Sequence, residues 1–423
     1  MKLKTKININ FFVYLSLALF MILNSGSMLQ SVYGEAVQQI NFVIFIVVAL
    51  YLCLTNKSDL LKIRLNTYTV FLLVTAVFSM LCMVMWSEYS LIILYVSNYA
   101  SFFLCYRIAR KISYEKFTGA FINIMMAVSV ISIIGWAFSD LLLKSQLGME
   151  FNRYMQYKSF LIFNIIKTAP SRNCGIFWEP GMFQGFLNFA VLLIILKKRI
   201  ALSDYAKIAV LAFTVYTTFS TSGYIVLALL AILLVYRLIH SYNRAAAIAV
   251  VIICGLIFII TDGFSTIINW AFEFLPRQVT QKIIDQNISY TTRLYTIWYD
   301  IELSLRYPFG VGRYAASDMI QNLAQVYGYA VNARTSTITT AFINYGFLTG
   351  LFYLYMWVKG CFSFVYKKIH GDIVYFILIL TAMMILLNSE PMLFHVFFNA
   401  VLVYWLGNHS EVTGVDNESI MAE

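Results

Sequence analysis

The sequence predicts an all-α fold: a polytopic membrane protein of about twelve transmembrane helices with a large, late extracytoplasmic loop. Three observations carry this. Hydrophobic residues are 61% of the chain, charged residues 12%, and the mean hydropathy is +0.77, outside the soluble globular range. Apolar stretches long enough to span a bilayer recur along the chain. Basic residues concentrate in alternate loops, as they do when a membrane protein has one orientation.

In order, the helices are predicted near 11–31, 37–55, 66–86, 89–108, 117–143, 181–196, 204–219, 222–239, 245–261, 336–358, 372–388 and 390–406. The first is not a cleavable signal, because it runs past Asn24 without a small-residue cleavage site and further spans follow. The organisation is therefore nine helices in 1–261, an extracytoplasmic loop with interfacial helices over 262–335, three helices in 336–406 and a tail at 407–423. In the loop, the run Arg293-Leu-Tyr-Thr-Ile-Trp-Tyr-Asp-Ile-Glu-Leu-Ser-Leu repeats apolar residues at helical spacing, with Tyr295, Trp298 and Tyr299 suited to headgroup depth.

Counting alternate loops places nineteen Lys and Arg on one side and ten on the other, with Lys144 at a boundary. The richer side is assigned to the cytoplasm, together with both termini and the tail. The ten outer cations are Arg153, Lys158, Lys167, Arg172, Arg277, Lys282, Arg293, Arg306, Arg313 and Arg334, drawn from the segments 144–180 and 262–335. Five of them are arginines of one loop, and an anion arriving on that face is the economical reason to keep them there.

Composition also excludes some classes. The net charge of +10 follows from topology, and no soluble basic domain exists to bind nucleic acid. The six cysteines form no C-x-x-C pair, and the four histidines show no zinc or calcium spacing, so neither a bound metal nor another cofactor is expected. No internal repeat marks two transporter halves. A transporter would also place charges inside the bundle, whereas here the middles of the predicted helices are nearly charge-free.

Three outer-face motifs carry the candidate chemistry. The first is Ser171-Arg172-Asn173-Cys174-Gly175-Ile176-Phe177-Trp178-Glu179-Pro180-Gly181. Pro180 suits the first position of a helix, which puts free N–H groups and partial positive charge beside the guanidinium of Arg172. That is a phosphate-binding arrangement. Glu179 is either a helix cap or a carboxylate facing a reacting group. The second motif, Phe219-Ser220-Thr221-Ser222-Gly223-Tyr224, opens another helix, and capping by its hydroxyls explains it equally well. The third runs from Arg293 to Arg306-Tyr307-Pro308-Phe309-Gly310-Val311-Gly312-Arg313, a tight turn between arginines.

Taken with Asn344-Tyr345-Gly346-Phe347-Leu348-x-Gly350, these motifs resemble those of the Wzy-type polymerases and O-antigen ligases of bacterial surface polysaccharide assembly. The likeness covers roughly residues 165–358. It implies a metal-independent, inverting glycosyltransferase of the bacterial inner membrane, acting at its outer face on oligosaccharide repeat units carried by undecaprenyl diphosphate. The polymer would be O-antigen, capsule or exopolysaccharide, and a chain-length regulator is a candidate partner. Arg172 and Arg293 match the arginines that the family uses for the diphosphate; Arg306, Arg313, Arg334 and Tyr224 are further candidates for the diphosphate or sugar. Ligases carry a histidine about eleven residues before the glycine matching Gly346, and Thr335 stands there. That favours a polymerase over a ligase, and either over a flippase. The acceptor hydroxyl needs a base. Glu179 is the first candidate; Glu390, taken with Pro391 as opening the last helix, and His395 come next.

Overall fold

Local chemistry starts most of the helices. In the computed structural model, which describes residues 9–55, 66–152, 156–240, 287–326, 336–390, 392–393 and 395–407, the chain begins with α1 (Ile9–Leu23), α2 (Leu29–Thr55) and α3 (Thr67–Met85). Asn66 and Thr69 form a reciprocal capping box at the start of α3. A short 3-10 turn leads into α4 (Ile92–Ala109), and Ser113 caps α5 (Tyr114–Ala137), which continues into the short α6 (Ser139–Lys144). Pro180 opens α7 (Pro180–Ile195), followed by α8 (Leu202–Thr217) and α9 (Thr221–His240). The late loop contributes α10 (Asn287–Arg306) and α11 (Arg313–Val326). Ser336 caps α12 (Thr337–Tyr345); then come α13 (Phe347–Ser363), α14 (Ile373–Ser389), capped by Asp372, and α15 (Val396–Trp405).

Helices therefore cover the predicted stretches, except 245–261, which lies outside the described residues. Among the described residues five, Thr67–Met85, Tyr89–Ala109, Tyr114–Ala137, Thr221–His240 and Phe347–Lys368, are long and apolar enough to cross a bilayer. The chain is accordingly a mostly helical membrane protein.

Three expectations need correcting. The all-α reading holds for most of the chain but leaves out a small antiparallel sheet, β1 (Met149–Asn152), β2 (Gln156–Ser159) and β3 (Asn164–Ile166), inside the segment 144–180. Outside a helix the segment's N–H and C=O groups need partners, and strand pairing supplies them. The span 336–358 is not one helix. Gly346 breaks it at φ +93°, and a Cβ there would stand 2.7 Å from the carbonyl oxygen of Pro308. Nor does Glu390 open the last helix: it terminates α14, and α15 begins only at Val396.

The helix α7 is the axis of the bundle; all of its residues are buried. Phe186 and Phe189 on it pack against Phe121 of α5 and Phe397 of α15, the last two stacked at 4.1 Å. Lipid is as apolar as these rings, so close packing rather than water exclusion supplies the gain. Val47, Leu54, Leu73, Met80 and Ile93, on α2, α3 and α4, are exposed and suit acyl chains.

Side-chain contacts sort the helix ends onto two faces. One holds Lys359 on Thr67 (2.8 Å), Lys368 on Glu115 (3.0 Å), Tyr236 on Asp372 (2.5 Å), Lys197 on Asp204 (2.7 Å) and Arg237 on Ile195. This is the basic face. The opposite face gathers the ends of α1, α3, α5, α8 and α14, the starts of α7, α9 and α15, the sheet, α10, α11 and both ends of α12.

Candidate active site

The segment carrying Arg172 is held from several sides. Trp136 Nε1 donates to the Ser171 carbonyl at 2.6 Å, and Asn173 Nδ2 donates to Ser132 Oγ (3.2 Å) and Thr217 Oγ1 (3.0 Å). Gly175, at φ +53°, has the Phe183 ring 2.9 Å from where a Cβ would stand. Arg172 is half-buried and lies within electrostatic reach of Tyr224 and of Cys174. Burial pushes the Cys174 thiol up to about 12, against the opposing pull of Arg172. Tyr224 stacks on Tyr216 and donates its hydroxyl to the Tyr216 carbonyl at 2.8 Å.

Downstream, Glu179 occupies the N-cap of α7 but makes no side-chain capping hydrogen bond, so capping does not account for it. A Cβ on Gly181 would collide with Glu390 Oε1 and come within 3.2 Å of Glu179 Oε1. The two acids, far apart in sequence, are thus neighbours across one glycine. Glu390 is 1% exposed. As the C-cap of α14 it meets an unfavourable dipole, but its carboxylate is pressed against the N-terminal turn of α7, which favours it. His395, half-buried, caps the same hinge five residues on, close to Gly26, Met182 and Trp178.

Among the described residues, four helix N-termini meet around this hinge, at Ser389, Glu390, Met392 and His395. Gly181 and Gly185 of α7 face Glu390 and Met392. Thr337 of α12 donates to the Glu390 carbonyl at 2.5 Å and accepts from the Met392 N–H at 2.6 Å. The start of α9 joins through Gln184, whose Nε2 lies 3.5 Å from both Ser222 Oγ and Ser389 Oγ. The start of α15 is the hinge's own exit. Each terminus adds partial positive charge and N–H groups, so the arrangement suits an anion flanked by carboxylates.

The late loop reaches this place through a residue that sequence reasoning missed. Asp300 of α10 is fully buried, and its Oδ2 accepts from Thr339 Oγ1 at 2.5 Å, in the first turn of α12. Apolar periodicity could not announce it: Asp300 shares a buried, partly polar stripe with Thr296, Tyr299, Leu303 and Ser304, whereas the apolar stripe of Trp298, Ile301 and Leu305 is exposed. Arg293 lies on the same helix, with its side chain outside the described residues. Trp298 is exposed. Gln184 and Asn188, buried amides one turn apart on α7, were missed as well.

Other expected anion ligands are already engaged or lie apart. Arg306 is exposed and pairs with Glu302 at 2.5 Å. Arg313 begins α11, and its backbone N–H goes to Glu88 Oε2 at 2.9 Å. Lys158 is buried, its ammonium on the carbonyls of Leu143 (3.0 Å) and Ser145 at the end of α6. Lys167 pairs with Glu150 at 2.5 Å, and that ion pair holds the Glu150 carboxyl below its usual range. Arg153, Arg277, Lys282 and Arg334 lie outside the described residues. Among the described residues no cluster of His, Cys, Asp and Glu suits a metal ion.

Compared with protein-family models, curated proteins and solved structures, the chain matches none.

Proposed function

We propose that this chain is a metal-independent, inverting glycosyltransferase that polymerises undecaprenyl-diphosphate-linked oligosaccharide repeat units at the outer face of a bacterial inner membrane. One observation carries the reading most: four positive helix ends converge where Glu179, at the start of α7, and Glu390, at the end of α14, face each other across Gly181. The motif resemblance supplies the substrate class.

In this reading the diphosphate rests against the start of α7 and Arg172, with Arg293 as the second arginine that the motif resemblance assigns to it. The bond between the donor's anomeric carbon and the diphosphate oxygen breaks. The acceptor hydroxyl oxygen bonds to that carbon from the opposite side, inverting it, and its proton passes to Glu179. Balancing the charge on the departing diphosphate supplies most of the rate. Glu390, more deeply buried, shapes the pocket around Glu179.

Deleting the gene and resolving the surface glycan on a gel tests this. A lost ladder with single repeats retained is expected; full-length polymer left on the carrier lipid would identify a ligase instead. The orientation has its own check. Ser317, exposed on α11, replaced by cysteine should react with an impermeant thiol reagent in intact cells, whereas labelling only after lysis would refute an outer active site.

A further inference from the structure

On the basic face a pocket of about 310 Å³ opens between the ends of α7, α8, α9 and α14, lined by Ile200, Tyr205, Arg237, Leu238, His240 and Tyr375. That is the lower end of the usual range for small-molecule sites, about 300–1,000 Å³. Arg237 donates to the carbonyls of Ile195 and, at 3.1 Å, Lys198, where α7 ends. Those bonds use two of a guanidinium's several donors. The acids nearby have partners of their own. Asp372 accepts from the Tyr236 hydroxyl at 2.5 Å and from the N–H groups of Val374 (3.0 Å) and Tyr375 (3.2 Å), with His240 Nε2 3.4 Å away. Burial alone would raise the Asp372 carboxyl, but these contacts hold it below its usual range. Asp204 is paired with Lys197, with Lys207 3.9 Å off.

Arg237 is therefore the fixed cation of the pocket's rim, and Lys198 and Arg199 precede the lining residue Ile200 in sequence. The rest of the pocket is different in kind. Leu238 is exposed, and so are Leu202 and Ile373, each a few residues from a lining position. Tyr205 and Tyr375 line the same pocket, and tyrosine rings suit headgroup depth. A free anion would use only the rim; an amphipathic anion uses both.

We infer that this pocket binds the phosphate headgroup of an anionic phospholipid. Arg237 and His240 meet the phosphate, while Ile200, Leu238 and the rings of Tyr205 and Tyr375 meet the glycerol and first acyl carbons. Basic pockets between helix ends are established places for such headgroups. Neither the pocket nor its ligand depends on the transferase reading, because the site lies on the other face of the bundle.

The test uses the full chain in detergent micelles, titrated with phosphatidylglycerol, with phosphatidylcholine or with inorganic phosphate, and thermal unfolding as the readout. Phosphatidylglycerol should raise the Tm and the other two should not. Arg237→Gln should lower the apparent affinity about tenfold, the size of one charge-assisted hydrogen bond, and His240→Gln should lower it less. If Arg237→Gln does not fold, because it also loses the bonds to the end of α7, His240→Gln decides alone. Arg110→Gln, on the same face but away from the pocket, should bind like the unaltered chain. An equal loss in Arg110→Gln, unchanged affinity in His240→Gln, or equal protection by inorganic phosphate would each overturn the assignment.

Discussion

Two glycine junctions on the face opposite the basic one use the same parts and do different work. At one, Gly312 (φ +80°) packs on the buried Glu88, whose oxygens accept from the N–H groups of Arg313 (2.9 Å) and Tyr314 (2.6 Å) at the start of α11. Around it, Val311 N–H donates to Ile343 (2.7 Å), Phe347 N–H to Pro308 (2.9 Å), Cys82 to Phe309 (2.9 Å) and Trp86 Nε1 to Gly310 (3.2 Å). The carboxylate there is a helix cap supplied from another element, and the junction clasps the late loop to α3 and to the Gly346 break. At the other junction Gly181 separates Glu390 from Glu179, one acid beside another, within the ring of helix starts. A carboxylate that ends on backbone N–H groups contributes stability. A pair of neighbouring carboxylates, one of which ends on no capping N–H, can move a proton.

Substitutions at the two junctions should separate accordingly. The largest effect is expected from Glu179→Gln, which keeps shape but accepts no proton: polymer formation should fall about 10²–10⁴-fold, the usual worth of a general base, with protein abundance unchanged. Full activity in Glu179→Gln together with a dead Glu390→Gln or His395→Ala would move the base to the hinge. Next, Arg172→Ala should reduce the initial rate of ladder formation by about 10–150-fold, from a charge-assisted contact of about 1.5–3 kcal/mol made mainly in the transition state. Lys should restore only part of it, lacking the planar fork. A normal ladder from Arg172→Ala would remove this residue from the site.

The smallest effect on turnover belongs to the clasp. Glu88→Gln turns an amide NH2 toward backbone donors and removes a charge from a helix N-terminus. It should destabilise the purified protein by about 1–3 kcal/mol, read as a lower Tm, while activity per folded molecule stays near normal. A large loss of turnover with an unchanged Tm would place Glu88 in the chemistry and erase the distinction between the junctions.

Both junctions were half legible. Arg172, Glu179 and Pro180 stand within nine residues, and a proline before an apolar run announces a helix start whatever surrounds it. Glu390 was noticed as an acid near membrane depth, but its position opposite Glu179 depends on how α14 and α7 cross. Glu88 gave no warning, because its partners are the amides of residues 313 and 314, which carry no side-chain signature. Asp300 was not readable, because the apolar side of α10, with Trp298, Ile301 and Leu305, is the exposed one and the buried stripe is partly polar.

What the sequence determined by itself is what a bilayer enforces locally: apolar runs become helices because unpaired backbone groups cannot stay in hydrocarbon, and basic loops mark one face. The helix starts and the cluster around Arg172 follow from a few adjacent residues each. The tertiary structure alone decided that α12 ends at Gly346 against Pro308, that the segment 144–180 holds a three-stranded sheet, and that four helix starts meet around Ser389, Glu390 and Met392. The sheet pairs residues near in sequence, but the other two outcomes rest on contacts between elements far apart in the chain, such as Gly181 with Glu390. Within an apolar bundle many helix arrangements satisfy the same hydropathy pattern, and close packing at a few glycines and buried polar side chains selects among them.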